Sequence, residues 1–248
     1  MNTMATLAIK SVRSRQDDIF FSGMSILILA AVFLGFARTY FLAGVFRAHL
    51  PNMLIHVHGA VFSAWILLLV AQTLLVSAGR LDLHRRLGMI GAGLAAGMVI
   101  VGIFAGTDAL ARGFIPPGSR LDPKTFYAIP CFEMLTFCSL VTLALRARSD
   151  GPAHKRLILI ATVGLLAPAI GRWPFHFVNS TIALLGIIDS FVLLLVCFDL
   201  CSRRRIHRAT VMGGLVLIAS QTLMIPIGRT VFWHHFASQV LRLWTSFS

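Results

Sequence analysis

Seven strongly apolar runs, separated by short charged segments, dominate this 248-residue chain. A helix needs about 20 apolar residues to cross the hydrocarbon core of a bilayer, and 57% of the residues here are hydrophobic. The runs lie near residues 19–37, 54–77, 87–107, 126–145, 156–173, 181–201 and 209–230. The sequence therefore predicts an all-α, polytopic bundle of seven transmembrane helices, in which one helix is followed by three helical hairpins.

The positive charges between the runs predict the orientation of the bundle. Lys and Arg accumulate in cytoplasmic segments, and fourteen of the 22 fall on the side of the membrane that holds the N-terminus. We therefore expect the N-terminus inside and the C-terminus outside. The net charge of +13 is explained by positive residues at helix ends, which set the orientation in the membrane and contact anionic lipid headgroups. The lipid bilayer is therefore the expected partner, and nucleic acid is not.

The chain divides into two parts. Residues 1–16 are predicted to be a flexible cytoplasmic N-terminal segment, and residues 17–248 a single membrane domain, because the loops are short and no linker rich in Pro, Gly or Ser separates the runs. The first run follows Lys10, Arg13 and Arg15 and resembles a signal sequence. At 19 residues it is long for a cleavable one, so we interpret it as an uncleaved first span.

An internal repeat is suggested by three turns on the inner side. They read GRLDLHRRLG (79–88), DGPAHKRLIL (150–159) and SRRRIHRATV (202–211), and each places a histidine before a basic residue: His84, His154 and His207. Such self-similarity is typical of a duplicated unit. A histidine at a membrane interface also pairs with lipid phosphate or caps a helix, and that simpler interpretation is favoured for these three.

Two acidic residues lie within apolar runs. Glu133 is the only glutamate of the chain and occurs in IPCFEMLTFCSLV, whereas Asp189 occurs in LLGIIDSFVLLL. An ionisable side chain at membrane depth costs several kcal/mol unless it is paired or protonated, so it is a functional-site hypothesis by default. Both residues are predicted about 10 Å inside the outer ends of their spans.

Histidines and arginines extend this set into a predicted polar cluster in the outer half of the bundle. His58 shares one helical stripe with Trp65 and Gln72, which points it inward, whereas His56 points about 200° away from His58. We expect His58, Arg172 and Arg229 to bind a ligand beside Glu133 and Asp189; the alternative is a structural network in which these groups satisfy one another. The candidate metal ligands are His56, His58 and His176, and the cluster also includes Arg38 and Asp108.

Several segments resemble a group of uncharacterised bacterial multi-pass membrane proteins. The resemblance rests on HGAVFSAWILLLVAQ (58–72), LHRRLG (83–88), HKRLILIAT (154–162), IGRWPF (170–175) and the stretch from residue 199 to 214. It implies a seven-helix fold in the bacterial cytoplasmic (inner) membrane. The HRRLG turn is also similar, more weakly, to b-type membrane cytochromes, which carry haem between paired histidines.

Three function classes remain open, and the sequence does not decide whether the protein is an enzyme. The first is a redox protein that binds b-type haem or quinone. In this class, His56 or His58 would face a histidine of the outer side, namely His176, His234 or His235, because haem iron takes two facing side-chain ligands.

The second class is an intramembrane enzyme that acts on a lipid or isoprenoid. Glu133 and Asp189 would be its acid and base, and Arg172 or Arg229 would hold an anionic headgroup; a metal-dependent form would recruit His58 and His176. The third class is a proton-coupled carrier, or an accessory subunit with partner subunits or further copies of the chain.

Overall fold

The computed structural model describes the backbone of residues 2–48, 52–116 and 118–246, and the side chains from residue 15 onward within these ranges, apart from that of residue 179. Every regular element in these ranges is helical, which confirms the all-α class. The helices are α1 (Asn2–Phe36), α2 (Ala43–Phe46), α3 (Met53–Ser77), α4 (Leu81–Ala111), α5 (Pro123–Arg146), α6 (Gly151–Val163), α7 (Ala167–Ile170), α8 (Thr181–Arg203), α9 (Arg208–Gly228) and α10 (Val231–Ser246).

Six helical segments of the described chain are long and apolar enough to cross a membrane. They are Arg15–Phe41, Met53–Ser77, Leu81–Ala111, Pro123–Arg146, Thr181–Arg203 and Arg208–Gly228. The protein is thus a multi-pass membrane protein, and its apolar helices suit contact with a lipid bilayer. At the N-terminus, α1 begins at Asn2 and runs without interruption through the segment that the sequence predicts to be flexible.

The predicted fifth span, residues 156–173, differs from the other six. It consists of the 13-residue helix α6 and the four-residue helix α7, with a break at Gly164 and Leu165. Pro168 lies in the first turn of α7, where its missing N–H group is tolerated although it could not continue a helix. Because 13 residues of helix extend only about 20 Å, α6 alone is shorter than a bilayer core.

Helix α6 forms the centre of the bundle instead of facing lipid. Leu157, Ile160 and Ala161 are at most 2% exposed, and α6 contacts α5, α8 and α9 as well as α1. Every residue from 156 to 163 except Ile158 is buried. The neighbouring helices α1, α5, α8 and α9 therefore enclose this part of α6.

The connections between helices gather at two ends of the bundle. The basic end contains residues 78–80, 147–150 and 204–207, and here Asp17 of α1 binds Lys155 of α6 at 2.5 Å and Arg203 of α8 at 3.4 Å. The far end contains residues 37–48, 112–116 and 171–180. Side chains fix where helices start at both ends: Asp150 caps α6 and Asp122 caps α5 by accepting backbone N–H bonds.

One helix was not predicted from the sequence. Helix α10 lies at the far end, where its Trp233 and Ala237 are buried and Trp233 Nε1 donates to the carbonyl oxygen of Lys124 at 2.8 Å. Phe232, about 100° around the helix from Trp233, is 80% exposed. An amphipathic helix of this kind suits the interface between membrane and water.

Candidate functional site

The helical stripe predicted on α3 faces the interior of the bundle. Trp65 is 5% exposed; its Nε1 donates to Thr162 Oγ1 of α6 at 3.1 Å, and its ring meets Phe137 of α5 edge-on at 5.2 Å between centroids. His58 lies two turns from Trp65 toward the far end, and Gln72 lies two turns toward the basic end. We call His58, Trp65 and Gln72, with the side chains they face, the interior seam.

Two members of the interior seam carry buried polar atoms that have no partner. His58 Nδ1 and Gln72 Oε1 are shielded from solvent, and neither has a hydrogen-bond partner in the described part of the chain. Buried polar groups are nearly always paired, and an unpaired one calls for an explanation such as a missing ligand. Trp65, with its own hydrogen bond satisfied, separates the two unpaired atoms.

The surroundings of His58 combine aromatic rings with a positive charge. The imidazole stacks on Phe62, with 4.1 Å between centroids and 26° between planes, and the Arg172 guanidinium is close enough to act on it electrostatically. Arg172 itself lies 4.9 Å from the centre of the Phe36 ring and donates to the Pro168 carbonyl oxygen at 2.6 Å. This arrangement offers a ring-stacking surface, a nitrogen for one hydrogen bond and a cation.

Glu133 lies one turn before Phe137 on α5 and is half-buried. Residues four apart on a helix share one face, so Glu133 lies on the side of α5 that presents Phe137 to Trp65. No hydrogen bond or ion pair to the Glu133 carboxyl group occurs within residues 15–48, 52–116 and 118–246. The far-end half of the interior thus holds two polar side chains, His58 and Glu133, that the fold leaves unpaired.

The other members of the predicted outer cluster occur in separate local contacts. Asp189 accepts a bond from Gln221 Nε2 of α9 at 3.1 Å, and Asp108 pairs with Arg112 at 2.8 Å. Arg229 and His176 are exposed. No hydrogen bond, ion pair or ring contact joins Asp189, Arg229 or His176 to His58 or Glu133 where side chains are described.

The other histidines predicted for a haem site, His56, His234 and His235, have surroundings of their own. His56 contacts Tyr40, whose hydroxyl donates to the His56 carbonyl oxygen at 3.1 Å. His234 Nε2 is 3.1 Å from Thr125 Oγ1 and 3.8 Å from Asp122 Oδ1, so it fastens α10 to the start of α5. His235 is exposed on α10. A facing pair of histidines is therefore not formed at the far end among these residues.

Sequence reasoning missed an ion pair at the basic end. Arg156 of α6 and Asp199 of α8 are both fully buried and form a salt bridge, in which Arg156 Nε lies 3.0 Å from Asp199 Oδ1. Asp199 Oδ2 also accepts from Thr210 Oγ1 at 2.6 Å and from the His207 backbone N–H at 3.0 Å. We call these four residues, with Asp17, Lys155 and Arg203, the ion network.

Sequence position alone does not indicate the ion network. Arg156 is one of the positive charges that predict the inner side, and Asp199 lies in the 199–214 stretch that resembles other membrane proteins. A buried Arg and a buried Asp within one turn of the same membrane face are expected to pair, since an unpaired charge there is costly. The fully bonded carboxylate of Asp199 indicates a structural role.

Two of the three turn histidines face each other. The rings of His84, at the start of α4, and His154, at the start of α6, lie 6.4 Å apart between centroids with perpendicular planes. His154 Nδ1 donates to the Ala144 carbonyl oxygen at 2.8 Å, whereas His84 Nδ1 is buried without a partner among the described residues. His207 differs, because its Nδ1 accepts the Ala209 N–H and caps α9.

Metal sites of the usual size are not evident. No group of three or more His, Cys, Asp or Glu side chains within the described ranges is arranged to hold a metal ion, and the candidate ligands His56, His58 and His176 do not form one. Comparisons with known protein families, with characterised proteins and with solved structures gave no match. The interpretation of the site therefore rests on its own geometry.

Proposed function

We propose that this protein is a redox protein of the bacterial cytoplasmic membrane that binds a quinone-type ligand in the far-end half of the interior seam. The observation that carries the proposal is the buried, unpaired Nδ1 of His58, stacked on Phe62 and close to Arg172. A quinone has a flat ring, two carbonyl oxygens that accept hydrogen bonds and an apolar tail that dissolves in lipid. The unpaired His58 Nδ1 suits one carbonyl oxygen, and the aromatic rings beside it suit the flat ring.

The proposal includes seven crossings, with the N-terminus inside and the C-terminus outside. Helix α5 ends at the basic end, and α8 runs back to that end from the far end, so α6 and α7 together connect the two ends as a broken crossing. The connections of the basic end carry Arg80, Arg148, Arg204 and Arg205. This excess of arginine supports a cytoplasmic basic end and therefore an outer position for His58.

In this function the chain's own residues bind and orient the quinone ring. Neutral His58 donates its Nδ1–H to one carbonyl oxygen, and Phe62 supports the ring by stacking. Reduction of the ring to the quinol takes two electrons, which an external electron carrier supplies, and two protons. The positive charge of Arg172 stabilises the electron density that gathers on the ring oxygens, and Glu133, the one carboxyl group within α5, passes on the protons.

Binding of decylubiquinone to the protein in lipid nanodiscs tests the proposal. Quenching of tryptophan fluorescence reports the affinity, because Trp65 lies on the same helical stripe as His58. We expect His58→Ala to weaken binding by about tenfold, which corresponds to about 1.4 kcal/mol, while the control His235→Ala, on the exposed side of α10, binds as the unaltered protein does. Equal affinity in all three proteins would exclude the site.

An absorption spectrum of the same sample, oxidised and then reduced with dithionite, tests the haem alternative. The outer histidines lack the facing pair that a haem with two histidine ligands needs, so we expect no Soret band that depends on His58. A band that shifts on reduction and is lost in His58→Ala would replace quinone by haem as the ligand.

One observation favours a second candidate, a proton-coupled carrier. The interior seam has unpaired polar atoms on both sides of Trp65, at His58 and at Gln72. A proton pathway in which Trp65 forms the central barrier would have polar atoms in these two places. Proteoliposomes with an internal pH dye distinguish the candidates. Proton uptake that rises in Trp65→Ala and falls in His58→Ala would support the carrier, whereas impermeable liposomes with intact quinone binding would support the redox protein.

A further inference from the structure

An open groove of about 430 Å³ runs along α9, starting at the basic end of the bundle. Its volume lies within the range of about 300–1,000 Å³ that is usual for sites of small ligands. The groove is lined by Ile206, Arg208, Val211, Met212, Leu215 and Val216. From Arg208 onward, these residues follow the spacing i, i+3, i+4, i+7 and i+8, so they form one stripe of the helix.

The groove faces away from the bundle. On the opposite stripe of α9, Thr210, Gly213 and Leu217 are buried, and a Cβ at Gly213 would lie 2.7 Å from Ile160 Cδ1 of α6. On the groove side, Leu215 is 62% exposed. Because α9 is long and apolar enough to cross a membrane, the exposed stripe meets lipid acyl chains instead of water.

The length of the groove matches one leaflet of a bilayer. Helix α9 begins at Arg208, and it rises about 12 Å over the eight residues from Arg208 to Val216. Half of a hydrocarbon core that is about 30 Å thick measures about 15 Å. The groove therefore begins at the level of the headgroups and follows the direction of an acyl chain through most of one leaflet.

Positive charge gathers where the groove begins. Arg208 lines the groove, Arg204 and Arg205 lie in the turn that leads into α9, and all three are exposed. None of the three side chains forms an ion pair or a hydrogen bond within residues 15–48, 52–116 and 118–246. The carboxylates of Asp17 and Asp199 are already bound within the ion network. These guanidinium groups are thus available to an anion, and their planar donor geometry suits phosphate oxygens.

We propose that this groove binds one anionic phospholipid of the leaflet at the basic end. Its phosphate lies at Arg208, and one acyl chain follows Val211, Met212 and Leu215. Arg204 and Arg205 add positive charge around the headgroup, which favours a lipid with a net negative charge over a zwitterionic lipid. The site is separate from the proposed quinone site and does not depend on it.

Native mass spectrometry of the full chain in detergent, titrated with phosphatidylglycerol, measures the affinity of this site. Phosphatidylcholine with the same acyl chains lacks the net charge, and glycerol phosphate lacks the chains. We expect phosphatidylglycerol to bind about tenfold more tightly than either. Arg208→Gln should weaken phosphatidylglycerol binding about fivefold, whereas the matched control Arg85→Gln, at an exposed arginine of α4 outside the groove, should leave it unchanged.

The position of the lipid is tested with a phosphatidylglycerol that carries a photoreactive group in its acyl chain. In nanodiscs, we expect label on α9 between Val211 and Val216 and a loss of this label in Arg208→Gln. The melting temperature and decylubiquinone binding of Arg208→Gln should equal those of the unaltered protein, so that a loss of lipid is distinguished from misfolding.

Three results would overturn the lipid site. The first is equal binding of phosphatidylglycerol by Arg208→Gln, Arg85→Gln and the unaltered protein. The second is equal binding of phosphatidylglycerol and phosphatidylcholine, with label spread evenly over the exposed helices, which would show contact with bulk lipid only. The third is a dimer in the mass spectrum that Arg208→Gln abolishes, which would show that a second copy of the chain covers the groove.

Discussion

The ion network and the interior seam are both polar regions inside the bundle, and they differ in how far their groups are paired. In the ion network, the carboxylate of Asp199 accepts bonds from Arg156, Thr210 and the His207 backbone. In the interior seam, His58 Nδ1 and Gln72 Oε1 have no partner among the described residues. Fully paired groups fix helices in place, whereas unpaired buried groups leave bonds for a ligand.

The largest loss of stability is expected for Asp199→Asn, which removes the fully bonded carboxylate of the ion network. This change leaves the buried Arg156 guanidinium without its counter-charge, and such a loss costs about 3–5 kcal/mol. We expect a large drop in the melting temperature of the detergent-purified protein, or loss of folded protein altogether. Arg85→Gln, which removes an exposed arginine at the same end, is the control and should melt as the unaltered protein does. A small change in melting temperature for Asp199→Asn would contradict the structural role of the ion network and its difference from the interior seam.

A second test concerns the close contact that places Arg172 near His58. Helices α1 and α7 touch at Gly35, where a Cβ would lie 2.1 Å from the Ala169 carbonyl oxygen. Gly35→Ala forces the two backbones apart and should lower stability by about 1–3 kcal/mol, with weaker decylubiquinone binding because α7 leads to Arg172. Gly23→Ala on the same helix is the matched control, because nothing lies within 4 Å of its Cβ position. Equal melting of the two variants would contradict the packing described.

A third test uses pH and the ion network. Burial, together with the positive charges of Arg156 and Arg203, lowers the pKa of His207 from its ordinary value of 6.5, and the neutral Nδ1 accepts the Ala209 N–H. The unfolded chain therefore binds this proton more readily, so stability falls as pH drops below about 6.5. His207→Asn keeps a cap but cannot titrate. Melting curves from pH 7.5 to 5 should show a smaller loss for this variant, and parallel curves would argue against the assignment.

The smallest effect on stability is expected in the interior seam, at Glu133→Gln. Glu133 has no hydrogen bond or ion pair with other described residues, and Gln matches the size of the carboxyl group without its charge, so the change breaks no contact and should not lower the melting temperature. Decylubiquinone affinity, in contrast, should fall, since the carboxyl group is proposed to contact the ligand. If Glu133→Gln instead unfolds the protein and leaves the affinity of the remaining folded fraction unchanged, Glu133 belongs to a structural network.

Much of the fold could be predicted from hydropathy, because the apolar character of each run depends only on residues that are neighbours in the sequence. Six of the seven runs contain helices long enough to span, and the period of the α3 stripe correctly placed Trp65 in the interior. The break between α6 and α7 was not foreseen, although Gly164 and Pro168 mark it. Helix α10 was missed because its amphipathic pattern is short and mixes His, Ser and Arg with aromatic residues.

The candidate site could be predicted only in part, because sequence does not give the rotation of one helix against another. Arg172 is close enough to His58 to act on it electrostatically, whereas Asp189 accepts a hydrogen bond from Gln221 of α9. The pairing of Arg156 with Asp199 joins residues 43 positions apart, and the approach of His84 to His154 depends on where α4 and α6 begin. Such contacts are set by packing of the whole bundle.

Photolabelling with an azido-substituted quinone tests the central claim most directly, because it reports where the ligand lies. The protein in nanodiscs is irradiated, digested and analysed by mass spectrometry, with and without excess decylubiquinone. We expect label on the part of α3 around His58 and Phe62, and on α5 near Glu133, and we expect excess decylubiquinone to remove it. Label that is confined to the outer surfaces of the bundle, or that excess decylubiquinone leaves in place, would contradict a quinone site in the interior seam.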